Sequence, residues 1–385
     1  MIAYNKIWIR NVEKRAHCNE AFGQGIINDA ALKAAFEKYP VGFYTPNFFI
    51  ALGLLLLTLV VVLFSFGIVL VFFRDAHTST LGVMGVLTGI ACFAVLEKLI
   101  SSKKYYRAGI DEGLLWGGVA LIFFGISLPH NLGGLSNSVL LFLLCIFGLL
   151  RYGDRLIGFV MYASAISIIF FLFIRFGPIG KSIIPFAVML FSLLTCMVAD
   201  RWFKKGNYDV YNNSLLTMKY TSLLFLYAAG NYFVERELNN SFFNLNLGAE
   251  DKIPMGWLFW ILTVVIPVVY LLIGIKKKDR PLIWLAIVLL AVVVFTIRFY
   301  HAVLSLEATM TVAGVLLIGI AYFLLQYLKE PKNGFTSKEL SGKDKQEKHN
   351  IEALIISETF SPGQTGNRQD FGGGDFGGGG ASGNY

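Results

Sequence analysis

Ten apolar runs, most of them near 20 residues long, follow one another between residues 47 and 328. A helix needs about 20 predominantly apolar residues to cross the hydrocarbon core of a bilayer. Only 15% of the residues are charged, against about 25% in soluble domains. The pattern therefore predicts an all-α, polytopic integral membrane helix bundle with about ten transmembrane helices, surrounded by the lipid bilayer. The predicted spans are 47–73, 80–100, 113–129, 135–150, 156–174, 179–199, 215–234, 257–275, 281–299 and 306–328.

The runs 113–129 and 135–150 are the shortest, and only residues 130–134 join them. They form either a helical hairpin that crosses the bilayer or a re-entrant pair. Because two spans are added or removed together, both alternatives leave the remaining topology unchanged.

Lysine and arginine alternate in density from one loop to the next. The loops predicted to be cytoplasmic carry twelve of these residues, and the loops predicted to be outside carry six. Cytoplasmic loops of membrane proteins hold the excess of positive charge, so the count predicts that both termini are cytoplasmic. The net charge of +8 follows from these flanking residues, and no nucleic-acid partner is expected.

Residues 1–46 are predicted to form a cytosolic amphipathic helical cap. Lys6, Arg10 and Lys14 share one face of a first helix, which lies either on anionic headgroups or, as a solvated helix, against the bundle. A second helix starts at Asn28, a favourable N-cap, and ends before Pro40.

Residues 329–385 are polar and end in a run rich in glycine. Such a segment cannot bury enough apolar surface to offset the chain entropy lost on folding. We expect a disordered cytoplasmic tail, which is a candidate for docking a protein partner.

Two pairs of glycines have the i, i+4 spacing that lets helix backbones approach closely. They are Gly85 with Gly89 and Gly113 with Gly117, and packing within the bundle is favoured over homodimer formation. The sequence shows no catalytic motif, and its five histidines and four cysteines have no metal-binding spacing. We expect no enzyme, no metal site and no cofactor.

Ionisable residues near the membrane are the best indication of function, because an isolated charge there is costly. The candidate outer site consists of Asn231, Tyr232, Arg236, Glu237, Arg298, Tyr300, His301 and Glu307. Arg298 is expected to pair with Glu307 or Glu237. The group is either a structural ion pair that holds helix ends together or a ligand or proton site.

A second group of charges lies at the predicted cytoplasmic ends of the spans. It comprises Glu97, Lys98, Asp111, Glu112, Asp154, Arg155, Asp200 and Arg201. Helix caps and interfacial pairs are the favoured interpretation of these residues.

Five short stretches resemble uncharacterised multi-pass bacterial membrane proteins, with those of Bacteroidetes type the most similar. The stretches are NKIWIRN at 5–11, YPVGFYTPN at 39–47, YRAGIDEG at 106–113, GDRL at 153–156 and NYFVERE at 231–237. The resemblance implies a bacterial inner membrane and carries no activity. The last fifteen residues also resemble the Gly/Phe-rich tails of some membrane-anchored bacterial quality-control proteins.

These observations favour a small-solute or ion transporter, or a channel-like protein, with a polar outer vestibule. The alternative is a non-transporting membrane module that docks or senses protein partners through the cap and the tail. A membrane enzyme ranks third.

Overall fold

The computed structural model describes residues 2–23, 25–73, 77–205, 211–241 and 253–300, and isolated positions between 311 and 329. This part of the chain is helical and contains no strand. A 3-10 turn at Ile174–Phe176 separates two of the helices. The helices are α1 Lys6–Gly23, α2 Asp29–Lys38, α3 Phe48–Phe72, α4 Thr78–Lys103, α5 Ile110–His130, α6 Gly134–Tyr152, α7 Arg155–Phe173, α8 Gly177–Lys205, α9 Asn212–Gly230, α10 Tyr232–Ser241, α11 Gly256–Lys277 and α12 Arg280–Tyr300.

Within the described residues, seven helical segments are long and apolar enough to cross a bilayer. They are α3, α4, α5, α6, the continuous stretch Arg155–Lys204, α11 and α12. The prediction of a helical membrane bundle is confirmed at this level. Helix α9 is not among the seven, because Lys219 and several hydroxyl side chains lower its hydropathy. The predicted span 306–328 lies almost wholly outside the described residues.

The stretch Arg155–Lys204 folds back on itself as two helices. Gly177 has a φ of +64°, and a Cβ atom at Gly180 would collide with the carbonyl oxygen of Phe173. Across the resulting hairpin, the Tyr162 hydroxyl donates to Ser192 Oγ at 2.8 Å. α7 and α8 are therefore antiparallel neighbours, because glycine allows the reversal at 177–180.

Contacts between helices group the helix ends into two sets. We call one set the cap end, where Arg151 of α6 pairs with Glu97 of α4 and Arg155 of α7 donates to Asn213 of α9. The other set is the far end, where Gly134 meets Phe171 and Gly82 meets Pro129. The turn between α5 and α6 thus lies level with the far ends of α4 and α7, and both α5 and α6 are long enough to cross a bilayer.

The cap formed by α1 and α2 is docked on the cap end of the bundle. The Tyr4 hydroxyl donates to Asp111 Oδ2 at 3.1 Å, and the Ala3 amide donates to the Arg151 carbonyl at 2.8 Å. Asn28 caps α2 by accepting from the Ala31 amide, as its position predicts. The side chains of Lys6, Arg10 and Lys14 are exposed on the other face of α1, so docking leaves the basic face of this helix accessible.

Glycines bring neighbouring helices close together. Gly85 and Gly89 of α4 face α5, where a Cβ on Gly89 would lie 2.9 Å from the Gly118 carbonyl oxygen. Gly113 and Gly117 of α5 face Thr58 and Val62 of α3. Both pairs named in the sequence analysis make their contacts between helices of one chain.

Gly82, at the far end of this α4–α5 contact, gives a test of close packing. A Cβ there would collide with the Gly125 carbonyl oxygen and the Pro129 ring, so Gly82→Ala is expected to lower the free energy of unfolding by roughly 1–3 kcal/mol. Gly53→Ala in α3 is the matched control, because nothing lies within 4 Å of its Cβ position. Thermal unfolding of the full chain in detergent measures both, and equal melting temperatures would contradict the prediction.

A candidate binding cavity at the far end

A break between α9 and α10 organises the far end of the bundle. Asn231 has an extended backbone, and its side-chain oxygen accepts from the amides of Phe233 and Val234 at 2.9 and 3.2 Å. Its amide nitrogen donates to the Tyr227 hydroxyl at 2.8 Å and lies 3.4 Å from Thr296 Oγ1. The side chain has no exposed surface. A single buried asparagine thus caps α10 and holds the α9–α10 break against α12.

Aromatic rings surround the first turn of α10. Tyr232 stacks on Trp260 with ring centroids 4.6 Å apart and meets Tyr300 edge-on at 5.1 Å. The guanidinium of Arg236 lies 5.0 Å from the centre of the Tyr300 ring and donates to the Tyr232 hydroxyl at 3.4 Å. Arg236 is only 6% exposed. Its charge is therefore held against aromatic faces, where a cation is favourable.

The structure brings together four of the eight predicted outer-site residues, namely Asn231, Tyr232, Arg236 and Tyr300. Arg298 and Glu237 are half-buried. His301 and Glu307 lie outside the described residues, and so does the predicted pairing of Arg298 with Glu307.

Glu235 was not among the predicted site residues, and it points away from this cluster. It is 7% exposed, and its Oε1 accepts from Asn239 Nδ2 at 3.1 Å. Helix α10 is not one of the candidate membrane spans. Burial raises the pKa of the Glu235 carboxyl to about 7. The four-residue spacing of Asn231, Glu235 and Asn239 was the available signal, because it places the three side chains on one face of a helix.

Glu235 borders a cavity of about 270 Å³ between α7, α8, α9 and α10. Among the described residues that line it, Glu235 and Ser167 are polar and all others are apolar. Pro185 stands at the cavity wall inside α8, where a proline removes a backbone hydrogen bond and disturbs regular helix packing. The lining residues are Ile166, Ser167, Phe170, Phe171, Ile184, Pro185, Val188, Ala228, Ala229, Val234, Glu235 and Leu238.

Two carboxylates at the cap end accept hydrogen bonds from backbone amides near the start of a helix. Asp111 accepts from the amides of Arg107 and Ala108 at 2.8 and 2.9 Å, and from the Tyr4 hydroxyl. Burial next to Asp111 raises the pKa of Tyr4 well above its ordinary value. Asp154 accepts from the Ile157 amide at 2.8 Å and from Trp116 Nε1 at 3.0 Å. Asp154 is thus the N-cap of α7, whereas Asp111 holds the turn that precedes α5.

Lys219 was also missed by the sequence analysis, because it lies inside an apolar run. Its ammonium lies 3.1 Å from Asp279 Oδ2 and 3.5 Å from Asp200 Oδ1. The side chain is 17% exposed. It therefore ties the cap ends of α8 and α9 to the turn between α11 and α12.

The described residues contain no group of three or more histidine, cysteine or acidic side chains placed to hold a metal ion. Comparison of the chain with protein-family models, with curated proteins and with solved structures found no match.

Proposed function

We propose that this protein is a membrane transporter for small solutes and that its binding site is the cavity beside Glu235. The observation that carries the proposal is an apolar cavity of about 270 Å³ bordered by one buried carboxylate. Ligand sites are concave, mostly apolar and supplied with few polar groups. A buried ionisable residue in a membrane bundle is costly and marks a functional site more often than a surface charge does.

The proposed site lies on a different face of α10 from the predicted polar vestibule. Arg236 packs against Tyr300 and Tyr232, so it contributes to holding α10 in place. Glu235, one position earlier, borders the cavity together with Val234 and Leu238. The proposal includes no catalytic step.

Docking of protein partners is the competing function. The cap is attached to the bundle through Tyr4 and Ala3, which favours a structural role for that segment. The tail 329–385 lies outside the described residues apart from Lys329. Deleting residues 331–385 is expected to leave solute flux unchanged, and loss of function in a folded deletion variant would favour partner docking.

The finer topology is part of the same proposal: ten spans, both termini in the cytoplasm and a bacterial inner membrane. It is supported by the alternation of lysine and arginine, by the antiparallel order of the described helices and by the apolar run 306–328. Alkaline phosphatase, which is active only outside the cytoplasm, is expected to be active when fused after residues 132 and 178. It is expected to be inactive after residues 105, 153, 279 and 340, and activity at 340 would contradict the even number of spans.

Filling the cavity tests the site itself. Val188 is buried in the cavity wall, so Val188→Phe is expected to occupy the space and to lower flux at least tenfold. Leu190→Phe is the control, because Leu190 lies on the same helix and is 60% exposed. The measurement is flux of small neutral, cationic and anionic solutes into proteoliposomes containing the full chain. Equal flux through the wild type and Val188→Phe, for every solute moved, would rule out the cavity as the site.

A further inference from the structure

The charge of Glu235 is not balanced within the described part of the protein. Its carboxylate has a single side-chain hydrogen-bond donor, Asn239, and no basic side chain of the described residues pairs with it. Arg236 is its neighbour in sequence, but that guanidinium contacts Tyr300 on another face of α10. A buried carboxylate without a cation either keeps its proton or takes a cationic ligand, because an unpaired buried charge is too costly.

We infer that the cavity binds a compact monovalent organic cation with an apolar body, and that Glu235 releases its proton when this cation binds. This inference rests on the proposed function, since it names the ligand class of the same cavity. The charge balances: a neutral acid and a free cation become a neutral ion pair and a proton in solution. No bond other than the O–H bond of Glu235 breaks.

The cavity lining fits this ligand class. Phe170 and Phe171 contribute aromatic rings, whose faces attract cations. Apart from Glu235 and Ser167, the lining residues have apolar side chains, and they match alkyl or aryl groups on the cation. The volume equals that of roughly nine water molecules at about 30 Å³ each, which is room for a ligand of about ten non-hydrogen atoms.

Other ligand classes fit less well. An anion would meet the carboxylate of Glu235, and none of the described lining residues carries a positive charge. A divalent metal ion prefers six or more oxygen ligands, and one carboxylate with one hydroxyl does not supply them. A neutral ligand leaves the charge of Glu235 uncompensated unless the carboxyl keeps its proton.

Few other titratable groups of the described residues lie close enough to affect the charge of Glu235. Of the described residues that line the cavity from α7, α8, α9 and α10, Glu235 alone is ionisable. The other charged residues on the described part of α10 are Arg236, which lies over the Tyr300 ring, and the half-buried Glu237. From α11, Trp260 and Thr263 meet Tyr232 instead. The pH dependence of ligand binding is therefore assigned to Glu235.

The test uses the purified full chain in nanodiscs and two probes of the same shape. Benzyltrimethylammonium is the cation, and neopentylbenzene is its neutral isostere. With a carboxyl that titrates near pH 7, the cation is expected to bind about tenfold more tightly at pH 8 than at pH 6, because the ionised fraction rises by that factor. Calorimetry in buffers of different ionisation enthalpy is expected to show proton release on binding.

Two variants separate the charge effect from packing. Glu235→Gln is expected to remove the pH dependence and the proton release, and to bind the cation no more tightly than the neutral isostere. Glu237→Gln is the matched control and is expected to behave like the wild type. Thermal unfolding checks that both variants are folded.

The outcomes distinguish the inference from the proposed function. If the neutral isostere binds the wild type as tightly as the cation does, and Val188→Phe blocks both, the cavity is a site but the cationic ligand class is wrong. If the cation binds without pH dependence, or binds Glu235→Gln equally well, the proton exchange is wrong. If neither probe binds and Val188→Phe leaves flux unchanged, the proposed function fails as well.

Discussion

Glu235→Gln is expected to stabilise the folded protein at pH 8 and to remove a pH-dependent part of its stability. Folding raises the pKa of this carboxyl from 4.5 to about 7 through burial, so the folded state holds the proton more tightly than the unfolded state does. The folded protein is therefore stabilised by holding this proton. The stabilisation is fully present below pH 4.5 and is lost as the pH rises through 7. A difference of about 2.5 pKa units corresponds to about 3 kcal/mol.

The measurement is thermal unfolding of the wild type and of Glu235→Gln at pH 5 and pH 8, with no ligand added. The variant should gain in melting temperature at pH 8 and gain much less at pH 5. Glu237→Gln, on another face of α10, should show no such difference between the two pH values. A gain of the same size at both pH values would show that the carboxyl is ionised in the folded protein throughout this range.

Asn231→Ala is expected to lower the free energy of unfolding by about 2–4 kcal/mol. The substitution removes the cap of α10, worth about 1 kcal/mol, and leaves the buried Tyr227 hydroxyl without its donor, which costs about 1–3 kcal/mol. Tyr227 is 3% exposed, so water does not easily replace the lost contact. Because the break between α9 and α10 depends on this side chain, solute flux should fall as well.

A double-mutant cycle with Tyr227→Phe isolates the buried hydrogen bond. Once the hydroxyl is absent, Asn231→Ala should cost less, with a coupling of about 1 kcal/mol or more between the two positions. Denaturation of the four proteins in detergent gives the coupling. Additive effects would show that Asn231 acts through the cap alone.

Much of the fold was predictable because hydropathy acts locally along the chain. The apolar runs 47–73 and 80–100 correspond to α3 and α4. The gap between the runs that end at 174 and begin at 179 corresponds to the chain reversal at Gly177. The ends of α2 also follow from Asn28 and Pro40. Each of these features depends on residues that are close in sequence.

The candidate site was predictable only in part. Four of the predicted residues do come together, namely Asn231, Tyr232, Arg236 and Tyr300. The prediction included Arg236 and Glu237 but not Glu235, which borders the cavity. Lys219 lies inside an apolar run, and its partners Asp200 and Asp279 are distant in sequence, so its role was not predictable either. Hydropathy along the chain does not reveal which residues of other helices a charge will meet.

The sequence by itself determined that this chain forms apolar helices suited to a bilayer, because about 20 apolar residues in a row satisfy their backbone only as a helix there. Only the tertiary structure decided that Arg236 packs on Tyr300 while Glu235 borders a cavity. The physical reason is the break at Asn231, which sets the rotation of α10. That break is held by Tyr227 and Thr296, and the contact with Thr296 exists only when α12 packs beside α9.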